Sequence, residues 1–132
     1  MLKNLNYALV VTSPLYGRQG SATALNLANA IVQQGHALNT VFFYLEGVSN
    51  AIVSALPASD EVDFHQAWLD LKVRANCELL VCSAAAYRRG VVTQQDAQNH
   101  GLESWSMSEH FSMSGLAEMS MAMLAADRVV QL

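Results

Sequence analysis

Glu78-Leu79-Leu80-Val81-Cys82-Ser83-Ala84-Ala85-Ala86-Tyr87-Arg88-Arg89-Gly90 carries two structural periods in succession. The opening apolar run suits a buried strand, while Ser83 offers a helix N-cap, three alanines follow it, and Gly90 supplies a stop. A strand that passes directly into a helix is the building unit of a parallel α/β sheet. Cys82 falls at the junction, at the carboxyl end of the strand, which is the edge where open α/β sheets bind ligands. A helix start behind it directs free N–H groups and a partial positive charge at the sulfur, and both favour thiolate over thiol.

The same alternation extends along the chain in both directions. Leu5 to Thr12 reads as a strand, Ser13 to Gly20 as a loop, and Ser21 as the cap of a helix whose apolar residues Ala24, Leu25, Ala28, Ile31 and Val32 recur up to Gly35. Leu38 to Tyr44 is a second strand, and Pro57 to Glu61 a loop before a helix faced by Phe64, Ala67, Trp68, Leu71 and Ala75. Cys77 to Val81 is the third strand. Thr93 to His100 reads as a helix ended by Gly101, whereas Glu103 to His110 has no clear period. Phe111 to Ser114, Leu116 to Ala126 and Asp127 to Leu132 complete the pattern as strand, Met-rich helix and strand. Together these predict one α/β domain over residues 1–132, a flavodoxin-like three-layer sandwich with a mainly parallel five-stranded sheet. In such a sheet Thr12 to Tyr16, Tyr44 to Gly47, Cys82 and Ser114-Gly115 converge at one carboxyl edge.

At 132 residues and 14.3 kDa the chain has room for one core. Apolar residues make up 52% and charged ones 14%, a poor supply of charge for a solvated surface, which points to contacts with other subunits. A net charge of −4 with scattered Lys and Arg leaves no basic stripe for a phosphate backbone, so direct nucleic-acid binding is not supported. Met1-Leu2-Lys3-Asn4-Leu5-Asn6 lacks the layout of a signal peptide, and no apolar run suits a bilayer span. The expectation is a cytoplasmic protein with reduced thiols. Cys77 and Cys82 on one strand would stand roughly 16 Å apart on opposite faces, too far for a disulfide.

Other residues compete for chemical roles less well. Cys82 itself has the alternative of a buried structural cysteine, and Cys77 lacks a helix start behind it. Arg88 and Arg89 lie roughly 9–10 Å along the helix from Cys82, so charge at a helix C-terminus explains them better than an ion pair with the thiol. Glu46 near the thiol would oppose its ionisation, and a solvated loop carboxylate is the simpler reading. His36, His65, His100 and His110 are dispersed without metal-ligand spacing, and His110 is the best of them for a Cys-His pair. The series Met113, Met119, Met121 and Met123 suits helix packing or an interface. Gly17 to Thr23 lacks the phosphate-loop and dinucleotide spacings, although a flavin at this edge remains the rival class.

Five blocks, in order, resemble the TusD/DsrE family of sulfurtransferase subunits: Val10 to Gly17, Val41 to Val48, Pro57 to Glu61, Cys82 to Val91, and Asp127 to Gln131. The resemblance spans essentially the whole chain. It implies a DsrE-like fold and a heterohexamer with TusB- and TusC-like subunits. It further implies a relay in which a TusA-like donor delivers sulfur and a TusE-like acceptor takes it for thiolation of the tRNA wobble uridine. Cys82 matches the persulfide-carrying cysteine of that family, and thiol exchange there needs neither metal nor organic cofactor. DsrE-type sulfur oxidation, or a non-catalytic or flavin-binding module of the same fold, are the alternatives.

Overall fold

A computed structural model describes residues 3–132; Met1 and Leu2, the start of the Met1 to Asn6 stretch read from the sequence, lie outside the described residues. The elements are β1 (Asn6–Val11), α1 (Gly20–Gln33), β2 (Ala37–Phe43), a 3-10 helix (Leu45–Ala51), α2 (Phe64–Ala75), β3 (Glu78–Cys82), α3 (Ser83–Arg88), α4 (Gln94–Asn99), β4 (Ser112–Ser114), α5 (Leu116–Ala125) and β5 (Arg128–Gln131). Every expected strand is present, and each pairing in the sheet is parallel.

The strand order is β4-β3-β2-β1-β5. Flavodoxin itself has the order 2-1-3-4-5, so the layered α/β architecture matches the expectation while the winding differs. Here the chain steps outward from β1 to β4 and then crosses back to the far side of β1. With right-handed crossovers, that path sets α1 to α4 on one face and α5 on the other.

The register explains the burial. Leu9, Val41 and Leu79 lie side by side, as do Val11, Phe43 and Val81, and all six are buried on the face that meets α1 and α2. Trp68 of α2 is fully buried, its ring meeting that of Phe43 edge-on at 5.0 Å. The opposite face is covered more thinly. Met119 of α5 packs against the core, yet every residue of α5 keeps part of its surface in solvent, and Leu116, Met121 and Leu124 stand exposed.

Helix ends depart from the sequence reading in an instructive way. Gln19, not Ser21, occupies the N-cap of α1. Ser21 is instead fully buried and donates its hydroxyl to the Pro14 carbonyl at 2.7 Å, closing the β1–α1 loop on itself. Asp63 caps α2 by accepting from Gln66 N, and left-handed Asn76 ends it. Thr93 and Asp96 form a capping box on α4.

Between β2 and α2, Gly47 is pressed against the end of β1, where an added Cβ would overlap the Val11 carbonyl. Gly47→Ala must therefore push the 3-10 helix off the sheet. The variant is expected to lose about 1–3 kcal/mol of stability, read as a lower urea midpoint at unchanged slope.

Candidate functional site

The carboxyl edge is built by strand ends in adjacent rows. Phe43 pairs with Val81, and Cys82 pairs with Ser114. Tyr44 and the 3-10 helix follow β2, α3 follows Cys82 immediately, and α5 begins just after Gly115. Two helix starts thus adjoin the thiol-bearing row, and their peptide dipoles favour negative charge there. Glu118 works in the other sense: its carboxylate accepts from Gly115 N at 3.0 Å and occupies the start of α5. At the remaining edge Thr12 N donates to the Leu132 carbonyl at 2.7 Å, tying the end of β1 to the chain's last residue.

Cys82 is the N-cap residue of α3, and Ser83, expected as the cap, is the first residue of the helix. The shift has a direct cause: the extended backbone of β3 ends on Cys82 itself, so the cysteine makes the strand-to-helix turn. Cys82 is only 3% exposed. The thiol thus stands at the carboxyl edge yet is closed off from solvent. Helix α3 packs its buried Ala85 and Ala86 inward, close to the 3-10 helix, and closes the edge around the thiol.

Two of the charged residues near this edge have partners of their own. Arg89 Nη1 donates to the Ala85 carbonyl at 3.1 Å, a bond within its own helix end, as a C-terminal cation should. Glu46 faces Arg18 across 3.8 Å, both well exposed, a solvated surface pair worth little energy. Tyr16, beside the same edge, donates its hydroxyl to the Val62 carbonyl at 2.7 Å and rests against Phe64. The histidines are spread: His36 Nδ1 accepts from Leu5 N at 2.9 Å, and His110 lies 4.0 Å from Glu109 in a cleft whose walls do not include Cys82. The suggested Cys82–His110 pair is therefore not formed.

Cys77 and Cys82 are both free and buried. They differ in environment. Cys77 precedes β3 at the amino end of the sheet, and burial pushes its thiol up from 9.0 to about 11. A thiol held protonated by desolvation is a poor nucleophile.

Sequence reasoning missed the 3-10 helix and the polar residue in its last turn, Asn50. Asn50 is fully buried. Its amide donates to the carbonyls of Ser13 at 3.1 Å and Gly47 at 2.9 Å, its side-chain oxygen accepts from Trp68 Nε1 at 2.9 Å, and its backbone carbonyl lies 2.9 Å from His65 Nδ1. An asparagine in a loop carries no sequence signal for such a role, because its partners lie 15 to 37 residues away except for Gly47.

A parallel α/β sheet with a thiol at its carboxyl edge defines a class; comparison with known proteins narrows it. The model of the DsrE/DsrF-like family matches residues 6–132, and the chain belongs to that family. It is 50% identical over 128 residues to the sulfurtransferase TusD of Proteus mirabilis, covering 97% of this chain and 98% of the relative. Identity to a sulfurtransferase TusD homolog of Vibrio cholerae is 44% over 130 residues, covering 98% and 99%. Among solved structures, the ychN protein from E. coli shares the fold with a TM-score of 0.73 at 18% identity, over 97% of this chain and 99% of that one.

The raised pKa of Cys77 has a consequence for stability. Between about pH 9 and pH 11 the unfolded thiol has lost its proton and the folded one retains it. The unfolded state then binds fewer protons, so stability is whole below pH 9 and falls as pH rises through this window. Chemical denaturation across the window should show a decline of order 2 kcal/mol, absent in Cys77→Ala.

Proposed function

We propose that this chain is a sulfur-relay transferase subunit that accepts sulfane sulfur on Cys82 as a persulfide and hands it to a partner protein. The observation that carries the reading is the contrast between its two cysteines. Cys77 immediately precedes β3 and Cys82 ends it, and only Cys82 stands at the carboxyl edge beside helix starts, while Cys77 is held as a thiol at the other end. Near-full-length identity to sulfurtransferases named TusD supports the same assignment.

The chemistry is thiol exchange. The Cys82 proton leaves to solvent, and its sulfur attacks the outer sulfur of a donor protein's cysteine persulfide. The donor's S–S bond breaks as the new one forms, and the donor cysteine departs as thiolate and is reprotonated. An acceptor thiolate repeats the exchange on Cys82. Neither step changes the overall oxidation level, so none needs an electron acceptor. Because Cys82 is 3% exposed, each exchange requires the edge to open, so that free thiols in solvent are excluded until a partner docks.

In this reading the donor is TusA-like, the acceptor TusE-like, and the destination the tRNA wobble uridine. The apolar residues that α5 and β5 leave in solvent, Leu116, Met121, Leu124 and Val129, suit burial against TusB- and TusC-like subunits. No helix among the described residues is long and apolar enough to cross a membrane, which fits a relay between protein partners.

Mass spectrometry of the intact protein after incubation with a persulfide donor protein should show the added mass of one sulfur atom. Cys77→Ser should retain the adduct and Cys82→Ser should lose it. An adduct that survives Cys82→Ser and disappears in Cys77→Ser would sink the assignment.

A further inference from the structure

An open cleft of about 1030 Å³ lies between α2 and residues 105–111, with α4 as its third wall. Into its walls the fold places a histidine it does not satisfy. His65, in the first turn of α2, is 9% exposed, and its ring stacks on Phe111 at 5.3 Å and 19°. Nδ1 lies 2.9 Å from the Asn50 carbonyl, which can only accept, so the proton of the neutral ring sits on Nδ1. Nε2 is then a bare acceptor, and it is buried with no hydrogen-bond partner. A buried acceptor left unmet costs roughly 1–3 kcal/mol; because Nε2 is closed off from solvent, a ligand that brings an N–H or O–H relieves that cost only by displacing the wall that covers it.

The other walls indicate which ligand. Gln94 and Gln98 line the cleft with amides able to pair with a peptide backbone, whereas Gln66 Nε2 donates to Asp70 and Gln95 Nε2 to Asn99, each at 3.0 Å; Trp105 adds a ring that is 46% exposed. Asp63 and Glu109 are the acidic residues of the lining, and neither Lys nor Arg is present in it. An anion is disfavoured there. A second hollow of about 630 Å³ continues along α2, sharing Gln66, Leu69 and His110 with the first. Its Lys72 has the amine engaged by the His110 carbonyl at 2.7 Å, and Asp70 adds another carboxylate. The combined shape is a long, amide-rich, acidic groove.

We propose that this groove receives an extended basic polypeptide segment of a partner protein, one N–H of which donates to His65 Nε2. That the partner belongs to the sulfur relay rests on the function proposed above; the groove itself does not.

The full chain, labelled with nitrogen-15 at histidine and tryptophan, is titrated by NMR with two capped probes: a pentapeptide alternating alanine and lysine, and its counterpart alternating alanine and glutamate. The lysine peptide is expected to move the His65 Nε2 and Trp105 indole signals saturably, and the glutamate peptide to bind far more weakly. His65→Phe, which keeps the stack and removes the acceptor, should weaken binding by roughly tenfold, the worth of about 1.4 kcal/mol for one hydrogen bond. Trp105→Ala, at an exposed position, should weaken it without disturbing the core. Unmoved His65 signals at millimolar lysine peptide, equal binding of the two peptides, or native affinity in His65→Phe would each overturn the proposal. Sulfur loading of Cys82 from a persulfide donor protein is followed on the same samples. Peptide binding with no sulfur loading removes the relay and leaves the groove; sulfur loading with a silent groove does the reverse.

Discussion

The buried amide of Asn50 is the constraint on which the carboxyl edge depends. A polar side chain with no exposure is tolerable only when fully paired, and Asn50 meets that demand by joining three separate pieces of chain. It holds the Ser13 carbonyl after β1, the Gly47 carbonyl after β2, and the indole of Trp68 from α2. Breaking one of these bonds leaves the others misaligned, because all converge on a single planar group. The 3-10 helix is therefore not a loose connection but a fixed block, pressed on one side against the end of β1 through Gly47.

That block determines the setting of Cys82. Helix α3 packs against the 3-10 helix, and α3 starts at the residue after the thiol. The chain of support runs from Trp68 through Asn50 to the 3-10 helix, then to α3 and the sulfur. A rigid edge has two consequences for a sulfur carrier. With the function proposed above, it would keep a persulfide, a labile species, out of contact with free thiols, and would make transfer conditional on a partner able to rearrange the edge. Burial thus works against rate and in favour of selectivity.

The strands and longer helices were legible because their signals are local. The apolar runs around Val10, Phe42 and Leu80 and the 3.6-residue spacing of Phe64, Ala67, Trp68 and Leu71 reflect faces that must be buried whatever the topology. Strand order was not legible, since the same alternation of strands and helices allows more than one winding. Ser21 and Ser83 illustrate a subtler limit. Each has the right chemistry for an N-cap, yet Ser21 is drawn away by the Pro14 carbonyl and Ser83 lies one residue too late, after a strand that ends on Cys82. Propensity marks the neighbourhood of a helix start; long-range contacts choose the residue. The position of Cys82 followed from a local pattern, whereas its burial depends on the 3-10 helix and α3, which only the folded chain brings together.

His65 shows how a network built for stability can create a binding feature. Asn50 spends its side chain on the carboxyl edge, leaving its backbone carbonyl to take the Nδ1 proton of His65. That bond, with the Phe111 stack, fixes the ring and leaves a buried, unmet acceptor on a residue that lines the cleft beside α2. Asn50 therefore stands between the thiol edge and the groove. A ligand that hydrogen-bonds to Nε2 polarises the imidazole and strengthens its bond to the Asn50 carbonyl. The same residue grips the loops after β1 and β2, so a ligand bound as proposed would meet the edge around Cys82 through the bonds of one residue.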